Sequence, residues 1–140
     1  MSGFLGGAVF DGTRTATANY SSATDQYTLV KSTSGTTFTQ QTSAGGVCIG
    51  VLQDTPASGS AGNIQLTGVT RVRVDSTSHA AIAVGDKLRC STSAAALPST
   101  AVAYYVLGRS LDTLSSNSTG VIWMLLTHQG SGSSGNAAAG

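Results

Sequence analysis

The chain has 140 residues, 40% of them hydrophobic and only 9% charged, with a formal net charge of +1. That length fits one domain with a modest core. The near-zero charge excludes a strong electrostatic nucleic-acid binder, which needs a basic patch to release counterions, and no apolar run approaches membrane-spanning length. Residues 1 to 24 are rich in Gly, Ala, Thr and Ser and predict an extended N-terminal arm. Its apolar residues Phe4, Leu5, Val9 and Phe10 are suited to ordering on a partner. No basic region precedes them and the apolar stretch is short for a signal peptide, which predicts production inside the cell.

Residues 25 to 128 read as a β-barrel domain. Gln26 to Lys31 alternates and predicts a first strand, a Ser/Gly turn follows, and Thr37 to Gln41 returns as a hairpin with Phe38 on one face. Val47 to Gln53 is almost continuously apolar, which predicts a strand covered on both faces. Asp54 to Gly62 reads as a loop. Asn63 to Thr67 alternates again, with Ile64 and Leu66 on one side, and Gly68 marks a bulge or bend. Val69 to Asp75 places Val72 and Val74 on one face and Arg71, Arg73 and Asp75 on the opposite, half-exposed face. Ala80 to Val84 runs into a Gly85-Asp86 turn. Lys87 to Ser91 is a strand with Leu88 and Cys90 inward and Lys87 and Arg89 outward.

Ala94 to Thr100, with Pro98, reads as a loop. Ala103 to Arg109 is a strand with a bend at Gly108, and Leu111 to Thr119 is a polar turn region. Val121 to Thr127 is a final buried strand, with Trp123 in the core or a subunit interface. Residues 129 to 140 have almost no side chain to bury and predict a flexible tail. The fold class is therefore all-β: a small single-domain barrel or sandwich with an N-terminal arm and a C-terminal tail.

The chain offers little chemistry. Gly130 to Gly135 matches G-x-G-x-x-G but opens no helix after a strand, so it reads as low-complexity tail. His79 and His128 are the only histidines, and each reads as a loop residue rather than a catalytic base. There is no Glu, and all six aspartates fall at turns or strand ends, where Asp bonds local backbone N–H groups. Asp54 with Asp86 is the alternative cation pair. Cys48 and Cys90 read as buried small hydrophobes, with a disulfide as the alternative. The sequence thus predicts no enzyme, no cofactor and no metal. Arg71 and Arg73 read equally as a solvated face or as an interface pair for partner carboxylates. So low a charge suits a chain covered by a large assembly.

The order of several phrases resembles the capsid cement, or head decoration, proteins of tailed bacteriophages. They are Gly50-Val51-Leu52, Gly62 to Leu66, Gly68 to Val74, Ile82 to Asp86, Gly108-Arg109-Ser110-Leu111 and Val121 to Leu126. The resemblance implies a non-enzymatic barrel on the outer capsid surface of a virion, assembled in the host cytoplasm. It implies a homotrimer bound to the major capsid protein that clamps neighbouring capsid subunits against DNA pressure. Candidate interface residues are Phe4, Leu5, Val9, Phe10, Arg71 and Arg73. The alternative is a ligand- or carbohydrate-binding β-module of a phage tail or virion surface.

Overall fold

The structure, a computed structural model, describes residues 12–21, 24–75, 78–99 and 104–130. Ten strands account for its regular structure: β1 Gly12–Ala16, β2 Leu29–Ser32, β3 Thr37–Gln40, β4 Gly50–Leu52, β5 Ala61–Gln65, β6 Gly68–Val74, β7 Lys87–Cys90, β8 Ala96–Pro98, β9 Val106–Ser110 and β10 Gly120–Gly130. The all-β barrel expected from the sequence is present, built as two closed five-stranded sheets in succession. The first runs β1-β3-β2-β4-β5 and the second β10-β6-β8-β7-β9.

The two sheets share one wiring. In the first, β1 pairs β3 in parallel, and β2–β3, β2–β4, β4–β5 and β1–β5 are antiparallel. In the second, β6 pairs β8 in parallel, and β7–β8, β7–β9, β9–β10 and β6–β10 are antiparallel. Adding five to each strand number of the first sheet gives the second. The registers agree as well: Asn63 opposes Thr13 where Trp123 opposes Arg71, and Ala61 opposes Thr15 where Val121 opposes Arg73.

Two glycines mark the same point in both sheets. Gly50 precedes Val51, which opposes Gln65, and Gly108 precedes Arg109, which opposes Leu125. A Cβ on Gly50 would overlap the Gln65 carbonyl oxygen and lie 2.9 Å from Ile64 Cγ2. A Cβ on Gly108 would overlap the Leu125 carbonyl oxygen and lie 2.9 Å from Met124 Sδ. Each glycine lets its strand cross its neighbour at close range, as small closed barrels require. Gly108 is thus a close-approach residue rather than the expected bend. Gly68 opens β6 with φ +84°, a left-handed conformation that favours glycine. It turns the chain from the first barrel into the second after Leu66 and Thr67.

The barrels are packed into one body. Alternation along β2 and β4 sends Val30 and Leu52 into the first barrel, beside Ala16, Tyr20, Phe38 and Ile64. Their neighbours Leu29 and Val51 point the other way and join the second barrel's core, with Val72, Val74, Leu88, Leu107, Ile122 and Met124. Both faces of Gly50–Leu52 are thus buried, as the apolar run predicts, but the strand is shorter than Val47 to Gln53 and Val47 is exposed. Burying a side chain such as Leu29 or Val51 contributes about 1.5–3 kcal/mol. Main-chain bonds cross the seam as well: Leu29 N–H donates to Ala94 O at 2.7 Å, Arg73 N–H to Tyr27 O at 2.9 Å and Gly45 N–H to Cys90 O at 2.8 Å.

Several elements differ from the sequence reading. Residues 12–16, assigned to the arm, form β1 and close the first sheet between β3 and β5. Tyr20, also assigned to the arm, is buried and stacks on Phe38 with ring centroids 5.7 Å apart. Gly-Thr-Arg-Thr-Ala carries no large apolar side chain, so β1 is held by ladder bonds and leaves no periodic signal. Residues 96–98, expected as loop, form β8, where Pro98 ends the strand opposite Leu88. Lys87, expected outward, is only 7% exposed. The remaining arm, residues 1–11, and the tail beyond Gly130 lie outside the described residues.

Candidate functional site

In an antiparallel ladder, directly opposed residues point to the same side. On β6 and β10 the pairs Val69–Leu125, Arg71–Trp123 and Arg73–Val121 therefore share the outer face of the second barrel. β9 extends it, since Arg109 opposes Leu125 and Leu111 N–H donates to Trp123 O at 2.9 Å. The inward residues Ile122, Met124 and Leu126 are buried, while Val121, Trp123 and Leu125 stand out. Trp123 is 44% exposed, and Val69, Leu111, Val121 and Leu125 are also exposed. The result is a continuous apolar band, studded with guanidinium groups, on a sheet with no free edge.

The arginines play different parts. Arg71 lies over the Trp123 ring, its guanidinium carbon 4.9 Å from the ring centroid. This cation–π contact holds the charge at the surface. Arg73 is half-buried and braces the seam: its Nε donates to Gln26 O at 3.2 Å and its backbone N–H to Tyr27 O. Arg109 Nη1 donates to Gly85 O at 2.9 Å. Asp112 Oδ2 accepts the Trp123 backbone N–H at 3.0 Å and so fixes the strand that carries the indole. Beside the ring is a shallow recess of about 360 Å³, lined by Tyr27, Gln53, Val69, Thr70, Arg71 and Trp123. Its back wall is fixed by Gln53 Nε2 donating to Thr70 Oγ1 at 2.9 Å.

The structure therefore brings Arg71 and Arg73 to one sheet face, with Arg71 exposed and Arg73 half-buried. Phe4, Leu5, Val9 and Phe10 lie outside the described residues. Sequence reasoning left Trp123 between core and subunit interface, and its exposure removes the core alternative; it missed Val69, Leu111, Val121 and Leu125. A six-residue apolar run looks buried on both faces when read alone. The usable signal was the pairing of Val121 to Leu126 with the alternating Val69 to Val74, whose outward positions were already evident.

The polar residues elsewhere serve the fold. His128 has φ +49° at an irregularity in β10. Its Nε2 lies 2.6 Å from Leu66 O and so carries the proton, which leaves Nδ1 to accept from Tyr105 Oη at 2.9 Å. The ring pins the end of β10 to the linker between the barrels. Both ring nitrogens of His79 contact carbonyl oxygens, Ala80 O at 2.6 Å and Ser118 O at 3.0 Å. Asp54 and Asp86 sit in different barrels, and each accepts a local backbone N–H, from Asn63 at 3.0 Å and Ala83 at 2.9 Å. Cys48 and Cys90 are free and buried thiols, both in the core shared by the barrels. A hydrogen bond with the Cys90 side chain, then burial, then the nearby Cys90 charge push the Cys48 thiol far above its ordinary range. A thiol held protonated in this way is a packing group and a poor nucleophile.

Residues 10–126 match a family described as phage cement protein. No curated protein sequence matches the chain. Among solved structures, the chain is similar to the N base of the head fiber gp8.5 of bacteriophage phi29. That match has 15% identity and a TM-score of 0.58, over 83% of this chain and 92% of the other. At that identity the likeness is one of fold.

Proposed function

The chain belongs to the phage cement protein family, which makes it a structural protein of a phage particle, and from that premise we propose that it binds the outer surface of the head and clamps neighbouring major capsid subunits. The observation that carries this reading is the family match over nearly the whole double barrel. The fold supports it. Two closed sheets packed through a shared core make a rigid block rather than a hinged pair. Closed sheets have no edge for an added strand, so attachment has to use outer side chains or the termini. A rigid block touching more than one capsid subunit gains retention by multivalency. If it binds the mature lattice best, it stabilises that lattice by mass action. Assembly of the copies as trimers is part of the same proposal.

Loading the purified protein onto heads assembled without it tests this function. The expected result is saturable occupancy, greater resistance of loaded heads to heat, and retention of most copies through a molar-salt wash. At that salt the Debye length is about 3 Å, so exposed ionic contacts are screened while apolar burial persists. Heads that take up no protein, or gain no resistance from it, would overturn the reading. Light scattering of the free and released protein tests the trimer, and a monomeric mass throughout would remove it.

A further inference from the structure

We propose that the outer band of β6, β10 and β9 is the capsid-docking surface, and that its partner is an extended segment of a capsid subunit presenting a carboxylate beside an apolar side chain. This rests on the capsid-binding function proposed above and names the surface that performs it. Three observations carry it. The first is composition. Trp123, Val121, Leu125, Leu111 and Val69 form one exposed apolar area, and a contiguous patch of that kind on a soluble protein marks an interaction site. Trp and Arg at its centre are the residue types that dominate binding hot spots.

The second is charge. Arg71 stands exposed on this face, with the half-buried Arg73 and Arg109 beside it. Residues 68–130 hold five of the seven basic residues (Arg71, Arg73, Lys87, Arg89, Arg109) and three of the six aspartates (Asp75, Asp86, Asp112), a balance of +2. Residues 12–67 hold Arg14 and Lys31 against Asp25 and Asp54, a balance of zero. The excess is on the barrel that carries the band, but Lys87 is buried and Arg89 stacks on Tyr104, so the cation the band itself offers is Arg71, and it suits an acidic group on the partner. Asp112 on that side is already engaged by the Trp123 N–H.

The third is preorganisation. The Arg71 guanidinium rests on the indole, and its planar fork suits a carboxylate. The recess beside the ring is open between Tyr27 and Trp123. One apolar side chain there, with a carboxylate on Arg71, would cover the indole and exclude water from the ion pair. A straight segment fits because the band runs along β10, the longest strand.

The test uses the full chain and heads lacking it. Trp123→Ala and Arg71→Glu are each measured for affinity to heads, thermal stability and mass in solution, beside Asn63→Ala at the corresponding position of the first barrel. Hot-spot behaviour predicts that Trp123→Ala and Arg71→Glu each weaken binding by about thirty-fold or more. Unfolding temperature and mass should stay at wild-type values, and Asn63→Ala should bind normally. Wild-type affinity in both band variants, on heads that load the wild type, would overturn the docking surface and leave the capsid-binding function standing. Loss of oligomer in the band variants, with binding per subunit retained, would assign the band to contacts between copies and also overturn it. Wild-type protein that fails to load would bring down both.

Discussion

The two barrels have the same wiring and the same registers but present opposite surfaces. Where the second barrel shows Val121, Trp123 and Leu125 along its outer strand, the first has Ala61 and Asn63, both exposed, and Gln65, which is buried, at the corresponding places. Opposite them stands Thr15 where the second barrel has Arg73. The interior positions remain apolar at Ile64 and Met124, and the crossing glycines are kept at Gly50 and Gly108. What the two barrels share is what closure of a five-stranded sheet requires. What differs lies on the outside, where the fold imposes little, and there the second barrel carries a large apolar and cationic surface. The difference teaches that the band is not a by-product of the architecture, because the same architecture exists without it a few residues upstream.

The largest expected effect breaks the first barrel from within. Phe38 is fully buried and stacked on Tyr20. Phe38→Ala should destabilise the protein by about 3–5 kcal/mol, read from denaturant unfolding. Because Leu29 and Val51 belong to the second barrel's core, both barrels should still unfold in one transition. Two separated transitions, only one of them shifted, would show that the barrels are independent.

The glycine equivalence comes next in size. Gly50→Ala and Gly108→Ala should each cost about 1–3 kcal/mol through overpacking, since each Cβ would meet a neighbouring backbone carbonyl. Similar losses at the two sites would support the repeated wiring. A loss at one and none at the other would limit the equivalence to strand order.

A smaller effect tests the shared core by pH. The Cys48 thiol keeps its proton in the folded chain because of Cys90 and burial. In the unfolded chain a thiol ionises near pH 8.5. The folded state therefore binds more protons above that pH, and stability should fall as pH rises, by up to about 1.4 kcal/mol per pH unit for this group. It is fully retained below the unfolded value. Tyr105, raised chiefly by burial, acts in the same direction at higher pH. Cys48→Ala should flatten the alkaline slope in denaturation curves taken from pH 7 to 11. An unchanged slope would show that Cys48 is not held between the barrels as described.

The smallest expected effect is on the band itself. Trp123→Ala should change stability by no more than about 1 kcal/mol, because the indole stands on the outer face and its loss leaves the barrel interior filled. A loss of several kcal/mol in a melting experiment would make Trp123 a structural residue and remove the contrast between the two outer faces.

Much of this architecture is legible in the sequence. Alternation gives β6 its inward Val72 and Val74, the unbroken apolar run gives β4 two buried faces, and Gly85-Asp86 gives a turn. The division into two barrels is not legible, because it depends on which strands pair, and local pattern carries no pairing information. β1 and β8 escape for a related reason: Gly12–Ala16 has no large apolar side chain and Ala96–Pro98 is three residues ending in proline, so both are made into strands by their neighbours. The site was half visible. Arg71 and Arg73 declare their face by alternation, whereas Trp123 becomes a surface residue only once β10 is laid against β6.

Cryo-electron microscopy of phage heads carrying this protein tests the central claim most directly. The expected map places β6, β10 and β9 against the shell, with the Trp123 indole and the Arg71 guanidinium covered by capsid residues and a carboxylate on the arginine. The outer face of β1 and β5, with Asn63 and Ala61, should be away from that contact. A map in which the second barrel's band faces solvent while the protein is held to the shell by another surface would contradict it.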